Sequence, residues 1–248
     1  MSKLARRIAC VYALLFTLLV WGSWALLVNT REGQFIDDAA FKGSYWGAAR
    51  IDDQARALLN AVSVPLIVVA IIATLAIALL RRRPRAALWA TAVVVGTNVT
   101  IQALKHFVFT RPDWGYSQRV DAANTLPSGH TGVAASIAVA LLLVVPPAWR
   151  VIAAWVGAGF TFFMGWSTLV CQWHRPSDII AAAAVAFTWG FVALAAGAWG
   201  TDEYRGLPGS KLARYLLSLG GYLSLALVVM LASAGYRNFY LFEIGRAH

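Results

Sequence analysis

Seven apolar runs divide this chain, and no other feature constrains its fold as strongly. They extend from about Ile8 to Val28, Ala57 to Leu80, Ala86 to Leu104, Thr131 to Val145, Val151 to Trp173, Ile179 to Gly200 and Leu212 to Ala234. A helix needs roughly 20 apolar residues to cross the hydrocarbon core of a bilayer, and the runs reach or approach that length. No water is available there to satisfy an exposed N–H or C=O, so each run is expected to be helical. Composition agrees: 60% of the residues are hydrophobic and 13% charged, against about 45–50% and about 25% in a soluble domain. The expected fold class is all-α, a polytopic membrane helical bundle of six to seven transmembrane helices. Residues 1–248 form a single integral membrane domain, with no repeat or linker to divide them.

The charges then set the topology. The chain carries 21 basic and 11 acidic residues, a net +10. In a soluble protein that excess suggests nucleic acid, but here no basic stretch interleaves with aromatics as single-strand binders require, so nucleic acid is not an expected partner. Lys3, Arg6, Arg7, the cluster Arg81, Arg82, Arg83 and Arg85, then Arg150, Arg205, Lys211 and Arg214 fall on one side, in short connections. Short connections rich in Lys and Arg stay in the cytoplasm. The N-terminus is therefore expected inside, and the segments 29–56 and 105–130, the turn at His174 and the C-terminus outside. The first run follows basic residues as a signal peptide would, but it is longer than a signal core and no small-x-small site follows, so it reads as a retained helix. Cys10 and Cys171 lie in apolar stretches without a metal-ligand neighbour and read as buried, inert thiols.

The chemistry-bearing residues gather at three places, and three of the four histidines lie there. Lys105 and Arg111, at the outer end of the third run, bring two cations to one membrane surface; a guanidinium holds phosphate through a planar fork and an ammonium as a point charge. Pro127-Ser128-Gly129-His130 precedes the fourth run. Free N–H groups and the helix dipole favour an anion at such a start, and glycine lets the backbone approach it closely. His174 and Asp178, four residues apart at the junction of the fifth and sixth runs, share a face if a helix covers both. Pro176 suits the first turn of that helix. A carboxylate on one imidazole nitrogen fixes the tautomer and leaves the other as a better nucleophile or base. Taken singly, each cluster is also a snorkelling anchor, a helix cap or a structural hydrogen bond. Together, on one face and at consecutive span ends, they point to a site.

This pattern resembles the type 2 phosphatidic acid phosphatases, the PAP2 superfamily, which also includes vanadium haloperoxidases. The family carries a Lys followed by Arg-Pro, then Pro-Ser-Gly-His, then Ser-Arg, five residues, His, three residues and Asp. Here the second motif is complete, and Ser167, His174 and Asp178 match the third in type and spacing. The resemblance implies a PAP2-like catalytic core over about 57–200, with an extra N-terminal span at 8–28 and a C-terminal span at 212–234. Two departures stand out. Lys105 and Arg111 are separated by five residues where the family usually has six, and the third-motif Arg is Thr168.

The resemblance implies a metal-independent lipid phosphatase of the cell membrane that needs no cofactor and acts on the extracytoplasmic face. In it, His174 attacks phosphorus and forms a phosphohistidine, Asp178 orients it, and His130 protonates the leaving group and then activates water. Lys105, Arg111, Ser128, Gly129 and Ser167 hold the phosphoryl oxygens, and Arg175 or Arg119 is the candidate cation in place of the one lost at Thr168. The partners are the bilayer and a lipid phosphate: polyprenyl (di)phosphate, phosphatidylglycerol phosphate and phosphatidic acid all fit an interfacial site. The same motifs serve a lipid-linked phosphotransferase, and Thr168 motivates a third reading, a non-catalytic member that binds a lipid headgroup or a partner protein. The segment 29–56, with Phe35, Phe41, Tyr45 and Trp46 among its acids, reads as a cover for the site, a surface-lying stretch or a plain connection.

Overall fold

The computed structural model describes residues 3–48, 52–61, 64–115 and 124–199, and these are helical with no strand. Helix α1 (Lys3–Gly22) runs into a π-helical turn, Ser23–Val28, and is followed by α2 (Arg31–Ala48), α3 (Asp52–Ala61), α4 (Val64–Leu80) and α5 (Pro84–Ala103). A second π-helical turn, Leu104–Val108, ends α5; α6 (Gly129–Val144), α7 (Arg150–Val170) and α8 (Pro176–Ala195) complete the described bundle.

Among the described residues, four helical stretches are long and apolar enough to cross a membrane: Lys3–Val28, Pro84–Val108, Pro147–Val170 and Pro176–Ala195. Gly129–Val144 and Ile71–Leu80 are shorter apolar helices. The former is bounded by its Ser128 cap and by the Pro146–Pro147 pair, because neither proline offers an N–H to continue the ladder. Exposed Leu14, Leu18, Leu79, Leu80, Leu88 and Val156 face outward from the bundle, as lipid contact requires. Two expectations change in detail. The run from Ala57 to Leu80 is divided between α3 and α4, and the segment 29–56 is no plain connection, since most of it is α2 and the start of α3. The run Leu212–Ala234 lies outside the described residues.

Small residues let the helices approach one another. A Cβ on Gly157 of α7 would sit 2.7 Å from Cβ of Ala138 in α6, and one on Gly190 of α8 would sit 2.6 Å from Val139. Helix α1 packs along α8 through Tyr12 on Phe191 and Phe16 on Phe187, with ring centroids 5.0 and 5.1 Å apart. Basic residues close one end of the bundle. Arg81 donates to the carbonyl of Val144, Arg85 donates to Ala196 at 3.1 Å, and the Arg150 guanidinium lies 3.7 Å over the Trp199 ring. The three motif clusters sit at the opposite end, where α5 finishes, α6 starts and α7 turns into α8.

Candidate active site

The turn from α7 to α8 is built around Thr168. Its carbonyl accepts the N–H groups of Trp173 at 2.9 Å and His174 at 3.1 Å, bending the chain back after α7. Gln172 takes the left-handed conformation this bend requires, with φ of 58°, and its amide donates to the carbonyl of Phe41, Ser44 Oγ and the carbonyl of Leu169. Pro176 then opens α8 at a position where a missing N–H costs nothing. Asp178, two residues on, reaches back so that Oδ2 accepts the Arg175 N–H at 3.1 Å, the reciprocal contact of a capping box. The same oxygen lies 3.1 Å from His174 Nδ1. In a neutral imidazole, a carboxylate facing Nδ1 favours the proton on that nitrogen and leaves the lone pair on Nε2.

The second motif is joined to the third through the backbone, the Ser128 N–H donating to the Asp178 carbonyl at 2.9 Å. Ser128 caps α6: its buried Oγ accepts from the Thr131 N–H at 3.4 Å and from the Thr131 hydroxyl at 3.1 Å. His130, in the first turn of α6, packs against Trp173 with ring centroids 5.5 Å apart, and lies close enough to His174 and Lys105 for their charges to act on it. Beside Gly129 there is open space, the nearest atom to a built Cβ being Gln102 Nε2 at 4.0 Å.

The first motif supplies the cations. Lys105 sits in the π-helical turn that ends α5, a local irregularity common at functional sites, where the Asp178 charge reaches it. Arg111 Nη2 lies 3.5 Å from Asp178 Oδ1 and 4.0 Å from Asp37 Oδ2, with its side chain only 5% exposed. Its Nε is buried without a hydrogen-bond partner among the described residues. Asn124 shapes the strand of chain between the motifs, donating to the carbonyls of Lys105, Phe109 and Leu126.

The structure therefore brings Lys105, Arg111, His130, His174 and Asp178 together around the start of α8, with the backbones of Ser128 and Gly129 alongside. The Ser128 hydroxyl is engaged in the cap. Ser167 is buried in the last turn of α7 beside Thr168. Thr168 is fully buried, and its hydroxyl donates to the Gly165 carbonyl at 2.7 Å, so that position contributes no charge. Arg175 is buried, with Nη2 3.4 Å from Asp38 Oδ1 and its guanidinium 5.1 Å over the Phe41 ring. Its charge acts on Arg111. Arg119 lies outside the described residues.

The sequence did not single out the acids of α2. Asp37 Oδ1 accepts the Ser177 N–H at 2.9 Å, and Oδ2 accepts the Ser177 hydroxyl at 2.6 Å. Burial, and then the charge of Asp178, push the Asp37 carboxyl up from an ordinary 3.8 to about 6, against the lowering effect of Ser177 and Arg111. Gln34, one turn earlier, donates to the carbonyls of Val28 and Pro112, both at 2.7 Å. The available signal was two adjacent acids in an aromatic-rich segment of a chain with few charges, since a carboxylate near lipid is expensive unless it has partners.

The family model described as the PAP2 superfamily matches residues 85–201, a stretch containing all three motif clusters, and this is the superfamily that the motifs resemble. Comparison with curated proteins and comparison with solved structures each give no significant match. Helices α1 to α4 lie outside the matched stretch.

Proposed function

From the PAP2 superfamily match over residues 85–201, we propose that this membrane protein is a metal-independent lipid phosphatase working through a phosphohistidine. The observation that carries the reading is the His174 Nδ1 to Asp178 Oδ2 contact of 3.1 Å, placed beside His130 and two cations. In the first step His174 Nε2 attacks phosphorus, the P–N bond forms, and the P–O bond to the lipid breaks. His130 gives its proton to the departing oxygen. In the second step His130 takes a proton from water as the water oxygen attacks phosphorus. The P–N bond breaks, inorganic phosphate leaves and His174 is regenerated.

Charge stabilisation accounts for most of such a reaction. Lys105, Arg111 and the Gly129 N–H face the phosphoryl oxygens in this reading, with Ser128 and Ser167 shaping the pocket, and Arg175 supplies the cation absent at Thr168. The Nε–H of Arg111, which has no partner among the described residues, suits an anionic ligand. A lipid phosphomonoester or diphosphate fits because its tail stays in the bilayer while its headgroup reaches the end of the bundle. Polyprenyl (di)phosphate, phosphatidylglycerol phosphate and phosphatidic acid share that geometry.

The site faces the extracytoplasmic side of the cell membrane in this proposal, because the basic cluster Arg81–Arg85 closes the other end and holds it in the cytoplasm. In a Cys10→Ser, Cys171→Ser background, Asp113→Cys should react with an impermeant maleimide on intact cells and Arg82→Cys should not; the reverse pattern refutes the orientation. Purified protein in detergent should release phosphate from a panel of lipid phosphates with EDTA present, and His174→Ala should not. Loss of activity to EDTA that divalent metal restores would refute the metal-free chemistry. Turnover that requires an added lipid or sugar acceptor, with negligible phosphate release, would assign the same intermediate to a phosphotransferase. Binding without turnover, unchanged by His174→Ala, would leave a headgroup-binding protein.

A further inference from the structure

Within the reading of this centre as a phosphoryl-transfer site, we infer that the acidic pair on α2 completes it: Asp37 is a positioning residue that caps α8 and, with Asp178, clamps Arg111, while Asp38 holds Arg175 beside them. The geometry is a closed set of contacts. Both Asp37 oxygens are engaged by Ser177, through its N–H at 2.9 Å and its hydroxyl at 2.6 Å. Ser177 immediately precedes Asp178, in the first turn of the helix that carries it. The first N–H groups of a helix have no partner within it, and a carboxylate there is favoured by the helix dipole. Asp37 is thus a cap supplied from a distant helix, and it fixes the segment on which His174 and Asp178 depend.

The same carboxylate meets the first motif. Arg111 Nη2 lies between Asp178 Oδ1 at 3.5 Å and Asp37 Oδ2 at 4.0 Å, so one residue of α2 touches both the phosphate-holding arginine and the start of the nucleophile's helix. Asp38, its neighbour, lies 3.4 Å from Arg175 and 2.7 Å from Lys42. Helix α2 is pinned near its start by Gln34 on the Pro112 carbonyl and in its second half by Gln172 on the Phe41 carbonyl and Ser44 Oγ. It therefore forms a wall of the site although it lies outside the stretch that the family model matches. Among the described residues, the charged and titratable groups around Asp37 are Arg111 after α5, Asp178 on α8 and its partner His174, with Arg175 and Asp38 adjacent.

The test uses the full-length protein in detergent or nanodiscs, comparing Asp37→Asn, Asp37→Ala, Asp37→Glu, Ser177→Ala and, as a control on an exposed site of α2, Glu32→Gln. Phosphate release is followed against pH, and amide hydrogen exchange is read over residues 174–180. Misplacing catalytic groups costs up to about 100-fold, so kcat of Asp37→Asn should fall on the order of 10- to 100-fold. KM should stay level or fall, because removing a carboxylate beside Arg111 does not weaken ground-state attraction for phosphate. The limb of the wild-type pH profile near 6 should vanish in that variant, Asp37→Glu should recover part of the rate, and exchange over 174–180 should rise in Asp37→Ala alone. Should the Asp37 variants not fold, Ser177→Ala, which removes one hydroxyl, should move kcat and the pH limb in the same direction. Normal kcat, KM and pH limb in Asp37→Asn, or in Ser177→Ala where that variant substitutes for it, would overturn the inference. A wild type that releases no phosphate while Asp37→Ala still raises exchange over 174–180 would count against the phosphatase reading and for the positioning role; unchanged exchange would count against the positioning role.

Discussion

The backbone N–H of Ser128 donates to the carbonyl of Asp178 at 2.9 Å. This one bond ties the start of α6 to the start of α8, and so fixes His130, two residues after Ser128, relative to His174, four residues before Asp178. The backbone frame that places the two imidazoles is thus separate from their own side-chain contacts, His174 with Asp178 and His130 with Trp173. The consequence is that either ring can be removed without taking apart the frame that holds the other.

Both His174→Ala and His130→Ala should therefore fold and fail to turn over. Loss of the attacking nitrogen should bring phosphate release to background. Loss of the proton donor should cost about 100- to 10,000-fold, the range for a general acid or base. Phosphate release, read alongside the thermal midpoint and the gel-filtration profile in detergent, checks this. Substantial turnover in His174→Ala would remove that residue as nucleophile, and a collapsed profile would make the histidines structural.

Asp178 should behave differently, because it is a hub. It is fully buried and engages His174, Arg111 and the Arg175 N–H. Removing one partner of a buried ion pair leaves the other charge stranded, at about 3–5 kcal/mol. Asp178→Ala should lose stability as well as activity, whereas Asp178→Asn, which keeps the shape and an acceptor oxygen, should lose activity with less effect on the thermal midpoint. Equal midpoints for the wild type and Asp178→Ala would show that Arg111 finds another counter-charge.

Much of this was legible in the sequence for a physical reason. Spans announce themselves because lipid forbids polar backbone and charged side chains. The four-residue spacing brings His174 and Asp178 together, although no helix covers both: His174 precedes α8, and Asp178 reaches back to it from the first turn. What escaped was tertiary. Asp37 meets Ser177 across 140 positions of sequence and Gln34 meets Pro112 across 78, and neither pairing leaves a local pattern. The mean polarity of α2 hid its buried face. Thr168 looked like a missing contact. Its carbonyl in fact holds the turn that presents His174, a backbone role that side-chain chemistry does not reveal.

Asp37 gives a pH signature in stability. Its carboxyl is raised from 3.8 to about 6, chiefly by burial and then by Asp178, so between those values the folded protein binds a proton that the unfolded chain does not. The stabilisation from that proton is fully present below about pH 4 and is lost as pH rises through about 6. At ~1.36 kcal/mol per pH unit, the loss is about 3 kcal/mol. The difference in thermal midpoint between the wild type and Asp37→Asn, followed from pH 4.5 to 7.5, should therefore shift in favour of the variant as pH rises. Parallel curves would show that Asp37 does not titrate in this range.

Two glycines of α7 separate packing from propensity. A Cβ on Gly165 would lie 2.7 Å from Ile179 Cγ2 and 3.6 Å from Thr131 Oγ1, whereas one on Gly159 meets nothing within 4 Å. Alanine is favoured over glycine within a helix by about 1 kcal/mol, so Gly159→Ala should raise the thermal midpoint and leave kcat unchanged. Gly165→Ala gains the same propensity but must displace Ile179, the neighbour of Asp178, and overpacking costs about 1–3 kcal/mol. Its midpoint should not rise, and because the displaced residue lies in the first turn of α8, its kcat should fall while KM moves little. If Gly165→Ala matched Gly159→Ala in both stability and kcat, α7 and α8 would have room to separate, and the close approach at Gly165 would not be what holds the start of α8 in register with the site.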